Sequence, residues 1–319
     1  MGSSSWTARL RDWADALQRR HPVLGYPIAV GKKYGDDQGA RHAALLTYYG
    51  FLSLFPLLLL VVAVLSIVLS NNPDLRTQLV EAIVPVALQD TVYAALAALP
   101  TSGLPLVLGV LGLVLSGLGV VNSAFHTLNH VYGVPFRERP NYFVRMWRTI
   151  TALVLLAIGA VASGGLTVIV GVVVDVPAIS RGSAVVGTIA VTGLVMWALA
   201  SLLLPRRVRV GAAWPALLGS SVAVTALLTF GAILLPRFVA RSGPVYGTFA
   251  TIVGLFALLS LVFQAVVISA ESAVVRRRRL WPRALDPMRP TDADRRALSQ
   301  LAAQQRRIEP QRITTTFVP

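Results

Sequence analysis

Six stretches of this chain contain no Asp, Glu, Lys or Arg: 42–73, 91–136, 149–174, 182–205, 210–236 and 242–270. A helix of about 20 apolar residues crosses the hydrocarbon core of a bilayer, and every stretch is long enough. A soluble chain of 319 residues could bury one or two helices that are apolar all round, but not six. Only 13% of the residues are charged, against about 25% in an ordinary soluble domain. The expected fold is therefore all-α and polytopic, with six transmembrane helices near 44–69, 104–131, 149–173, 183–204, 213–235 and 247–273.

The charges that remain orient this layout. With both termini in the cytoplasm, all but four of the 29 basic residues fall on the inner side. The exceptions are Arg76, Arg181, Arg237 and Arg241. The positive-inside rule selects that topology. If 91–136 crossed twice, every later loop would invert. The net charge of +15 thus reads as topology, not as a nucleic-acid surface, and no nucleic-acid partner is expected. The localisation that follows is multi-pass in a membrane, with both termini on its cytoplasmic side.

Three regions result: a cytoplasmic N-terminal segment (1–41), a six-span membrane domain (42–275) and a basic cytoplasmic tail (276–319). No cleavable leader is expected, because a long polar segment precedes the first apolar run. Within that segment Trp6, Leu10, Trp13 and Leu17 share one helical face. The spacing predicts an amphipathic helix over 6–20, stopped by Pro22 and lying on the inner membrane face or packed on the loops. Between spans 1 and 2, residues 74–99 read as two short amphipathic helices on the outer face. Asp90 at the centre of that stretch would cost roughly 2.5–3.5 kcal/mol in a crossing helix. In the tail, Thr291-x-x-Asp294 predicts a capped helix running toward Pro310.

The chemistry of the spans is sparse. With no Cys there is no disulfide, thiolate ligand or Cys nucleophile. No catalytic residue, metal or cofactor is expected, and the chain does not read as an enzyme. Most intramembrane polar residues are small, and Gly109, Gly112, Gly117 and Gly119 suit close helix packing. Four features stand out. Pro56, midway along the first span, predicts a kink and a candidate hinge. Asn122, His126, Asn129 and His130 share a face near the inner end of the second span. His126 and His130 have metal-pair spacing, but two ligands do not make a site, so interhelical hydrogen bonding is favoured. Glu271 is the one acidic residue inside an apolar span. No basic residue shares its helix face, so its partner should come from another helix, with His130, Arg145 and Arg148 as candidates. Finally, Arg276, Arg277, Arg278 and Arg279 anchor the topology and suit contact with anionic lipid headgroups.

The run Ala43-Ala44-Leu45-Leu46-Thr47-Tyr48-Tyr49-Gly50-Phe51-Leu52-Ser53-Leu54-Phe55-Pro56-Leu57-Leu58 resembles the signature of the YihY/BrkB family of bacterial inner-membrane proteins. Asp36-Asp37 upstream fits, as do Leu128-Asn129-His130-Val131-Tyr132-Gly133-Val134, Leu204-Pro205 before Arg206-Arg207, and Tyr246-Gly247. Ser269-Ala270-Glu271 stands where the family tends to have Gly-Ala-Glu, and Trp214-Pro215-Ala216 where it favours Pro-Gly-Ala. The resemblance covers roughly 35–280. It implies six spans and a link to envelope integrity. Members have been called virulence or serum-resistance factors, and a relative has been tied to export of lipopolysaccharide or lipid.

An old family label, ribonuclease BN, implies metal-dependent RNA hydrolysis. That chemistry needs clustered His and Asp ligands, and this chain has four His in all, so ribonuclease activity is rejected. Two readings remain. One is a translocator of lipid or another amphiphile, which the scarcity of intramembrane charge suits. The other is a non-transporting membrane scaffold for envelope proteins. Membrane lipids are the expected partners, with a second copy or an envelope protein as the expected protein partner.

Overall fold

The computed structural model describes residues 6, 9, 12–13, 15–18, 22–71, 104–173, 177–204, 214–241, 243–286 and 288–317. The two outer-face helices expected over 74–99 lie outside the described residues, as does the loop holding Arg206, Arg207 and Arg209. Among the described residues the fold is all-helical. The long helices are α1 (Pro22–Asp36), α2 (Gly39–Asn71), α3 (Leu104–Val131), α4 (Tyr142–Val173), α5 (Pro177–Leu203), α6 (Trp214–Arg241) and α7 (Gly243–Arg278). The tail helix, α8 (Asp292–Gln304), follows them.

Each apolar stretch outside the undescribed segments is a helix, and most outrun their predicted ends. Val107–Val131, Val185–Leu203 and Phe249–Arg278 are long and apolar enough to cross a membrane. Their outward faces match that environment, with Leu115 72% and Phe249 67% exposed. Such apolar surface suits lipid, not water.

The chain's ends bring one addition and one correction. The described residues of the helix expected over 6–20 (6, 9, 12–13 and 15–18) are helical, and Pro22 opens a further helix, α1, that was not foreseen. Proline suits the first helical position, where its missing N–H has no partner to lose. In the tail, α8 ends at Gln304, short of Pro310. Its start is as predicted: the Thr291 hydroxyl accepts from the Asp294 amide, and the Asp294 carboxylate accepts from the Thr291 amide.

The chain divides into two compact units, Met1–Thr47 with Val121–Pro319, and Tyr48–Val120. In the smaller unit α2 runs unbroken through Pro56. Glycines on α3 accept bulky groups from α2: a Cβ at Gly112 would lie 2.9 Å from the Pro56 Cβ, and one at Gly119 would lie 2.4 Å from the Tyr49 ring. Small residues thus let the two helices approach closely.

In the larger unit α7 packs on α6, α5 on α4 and on α6, and α1 on α7. Val131 at the end of α3, Tyr132 and Val134 just after it, Ala200 and Leu204 at the end of α5, and Ala273 and Val274 of α7 form one buried cluster. A second cluster joins Ala29 and Val30 of α1 to Val275, Leu280 and Ala297 of α8. The end of α7 is thereby wrapped by segments from both ends of the chain.

Candidate functional site

The site is built where α3 stops. Gly133 adopts φ +69°, and two hydrogen bonds close the helix: Gly133 N–H to His130 O at 2.9 Å and Val134 N–H to Asn129 O at 2.8 Å. This is a Schellman termination, with a left-handed glycine and an apolar residue beyond it that packs back. Val134 does so against Leu128 and the cluster at the end of α5.

The last carbonyls of α3 are then capped by side chains. Lys33 Nζ donates to Val131 O at 3.2 Å and Arg278 Nη2 to Tyr132 O at 2.7 Å. Cations are favoured at a helix C-terminus, where the carbonyl dipoles sum to partial negative charge. A Cβ at Gly133 would meet the Arg278 guanidinium at 2.9 Å. Gly133→Ala should therefore strain the backbone and displace Arg278. We expect a loss of about 1–3 kcal/mol, read as a lowered midpoint of thermal unfolding in detergent.

Lys33 also serves two carboxylates. It hydrogen-bonds Asp37, four residues on, and lies 2.7 Å from Glu271 Oε2 of α7. The latter contact is a buried ion pair through Oε2, and Glu271 Oε1 has no hydrogen-bond partner. All three groups are buried, Lys33 at 6%, Asp37 at 1% and Glu271 at 0% exposure. The partner expected for Glu271 was His130, Arg145 or Arg148, and the structure corrects this to Lys33. The cause is α1, which was not foreseen and which lays Lys33 along the end of α7.

The other predicted residues are dispersed. Asn129, fully buried, donates its amide to Phe125 O at 2.8 Å and Leu203 O at 3.3 Å, tying α3 to α5. His130 turns the other way and stacks on His42, with ring centroids 5.0 Å apart, while the His42 Nδ1 lies 3.2 Å from the Thr127 hydroxyl. His126 sits edge-on to Phe125. Asn122 is exposed. The shared polar face read from spacing is thus divided between the two flanks of α3. Of those four residues, His130 is brought near the carboxylates, within electrostatic reach of Asp37. Pro56 belongs to the smaller unit. Arg276, Arg277 and Arg279 are exposed, whereas Arg278 turns inward to Gln300 and Tyr132.

A second charged knot lies nearby. Arg283 pairs with Asp294 at 2.6 Å and with Asp36 at 2.7 Å, and Lys32 with Asp294 at 3.0 Å. Burial alone would push the Asp294 carboxyl up. Hydrogen bonds from Arg283, the Ala284 amide and Thr291 overcome that and hold it well below the usual carboxylate range.

Sequence reasoning missed Lys33 and Asp37 as site residues. A signal was present: Lys32 and Lys33 are the two lysines of an otherwise Arg-only basic set. Lysine is the basic residue whose charge responds to burial.

The family model described as Virulence factor BrkB matches residues 30–294. The chain belongs to the BrkB family. That match takes in the second half of α1, all of α2 to α7 and the start of α8, so the Lys33, Asp37 and Glu271 triad lies wholly inside the BrkB region. An uncharacterized protein of Dickeya dadantii (strain 3937) is 30% identical over 148 residues, which cover 43% of this chain and 45% of that protein. The chain therefore matches under half the length of that relative. No solved structure matches. Family and apolar helices together make this BrkB-family chain an integral membrane protein.

Proposed function

We propose that this protein threads a bacterial inner membrane six times, with both termini cytoplasmic, and supports envelope integrity by moving a lipid or another amphiphile. The observation that carries the reading is the buried triad of Lys33, Asp37 and Glu271 at the end of otherwise apolar helices. Ionisable groups buried at the ends of membrane spans are costly, and such groups often mark pathways and relays. Replacing a buried ion pair with packed hydrophobes is often neutral or stabilising, so a purely passive scaffold has little need of one.

The hydroxyls of the helices support an amphiphilic cargo. Ser116, Ser221, Thr229 and Ser269 each bond a carbonyl four residues back on their own helix. Hydroxyls so engaged offer a sugar or ion little lining, while apolar helix surface suits acyl chains. Exposed Arg276, Arg277 and Arg279 would meet anionic headgroups, each contributing about 1 kcal/mol.

Purified protein in liposomes carrying a labelled phospholipid should speed exchange between leaflets. Glu271→Gln and Asn129→Ala should return the rate to that of protein-free liposomes. Accelerated flipping that both variants retain would remove these residues from the pathway. Background rates for the unaltered protein would favour the scaffold reading, in which the basic termini recruit envelope proteins.

A further inference from the structure

We propose that Asp37 and Glu271, bridged by Lys33, form a proton-binding site that holds one exchangeable proton. The inference is independent of whether lipid is moved.

The argument begins with charge. One ammonium faces two carboxylates, which leaves one negative charge in excess where no group is more than 6% exposed. Two carboxylates sharing a buried site do not both ionise readily, because each raises the cost of the other's charge. Lys33 bridges the two acids, donating to Asp37 and pairing with Glu271 Oε2 at 2.7 Å, while Glu271 Oε1 is buried with no hydrogen-bond donor. A proton on either acid supplies the missing donor and cancels the excess charge in one step.

The neighbours leave this need unmet. From α1, Lys33 is engaged with both acids and Asp36 is drawn off by Arg283, while Tyr34 lies within electrostatic reach of Glu271. From α2 and α3, His42 and His130 stand near Asp37. After α3, Tyr132 lies within electrostatic reach of Glu271 and Arg277. On α7, Arg278 feels Asp37 but directs its N–H groups to Tyr132 O and Gln300. No second cation is hydrogen-bonded to either acid among the described residues. The histidines are the one alternative seat for the proton, and the experiment separates them.

A small cavity beside Lys33 and Asp37, lined by Asp36, Arg278, Gln300 and Gln304 together with apolar side chains, has room for roughly one water. A water there would give a proton on Asp37 a polar neighbour with which to exchange.

Infrared difference spectra of the full chain in lipid nanodiscs, recorded between acidic and alkaline buffer, test the assignment. A protonated-carboxyl stretching band should appear and titrate as one group. It should vanish in Glu271→Gln or Asp37→Asn, both near-isosteric, with folding checked by gel filtration. A band unchanged in both acid variants would overturn the proposal. So would its absence accompanied by imidazole bands that titrate instead, which would place the proton on His42 or His130.

Discussion

Lys33→Met should be the most damaging single substitution in the larger unit. It leaves Asp37 and Glu271 buried side by side with no counter-charge, and it uncaps Val131 O at the end of α3. Breaking a buried ion pair by removing one partner costs about 3–5 kcal/mol. At neutral pH we expect little properly folded protein on gel filtration in mild detergent, and a markedly lowered unfolding midpoint for what remains. The triple variant Lys33→Met, Asp37→Asn, Glu271→Gln removes all three charges and should recover most of the loss. If the triple variant is as unstable as the single one, packing of the lysine stem rather than charge is the cause.

The second large effect belongs to Asp294. This carboxylate gathers Lys32, Arg283, the Ala284 amide and both polar groups of Thr291. It caps α8 and ties that helix to α1. Asp294→Asn would leave Arg283, 1% exposed, leaning on Asp36 alone. We expect a cost again of about 3–5 kcal/mol, but a local one: α8 should release while the long helices stay folded. Limited proteolysis with trypsin reads this directly, as rapid cleavage after Arg295 or Arg296 with the apolar helices intact. The pH dependence follows from the depressed carboxyl. Its stabilising effect is fully present above the unfolded value of about 3.9 and is lost as pH falls from there toward the lower folded value. The tail should therefore resist protease unchanged from neutral pH to about 5 and loosen only in stronger acid. Loosening between pH 8 and 6 would contradict the assignment.

The helices were legible because charge is so unevenly distributed. Leu104–Val131 has the limits that composition suggested, and the other helices extend their predicted spans at the ends. The capping pair Thr291 and Asp294 was legible too, since its geometry is local. The centre of the site was not. Glu271 was flagged by burial logic, but its partner lies far away in sequence on α1, a helix that the apolar pattern did not announce. The polar face of α3 failed for a related reason. Helical spacing places Asn129 and His130 together, yet neighbouring residues on a helix diverge by about 100°. The neighbours on each flank, Leu203 and His42, then claimed one apiece.

The wrapping of α7 by both chain ends sets an order of assembly. Gln18 bonds Arg283 O across 265 residues of sequence, and Lys32 bonds Ala284 O across 252. Contacts so remote form late. During synthesis the first helix must wait, its lysines hydrated, until nearly the whole chain has left the ribosome. A nascent chain stalled before Glu271 carries Lys33 and Asp37 with no third member to receive them. Closure of the triad thus marks that the last apolar helix has arrived and seated.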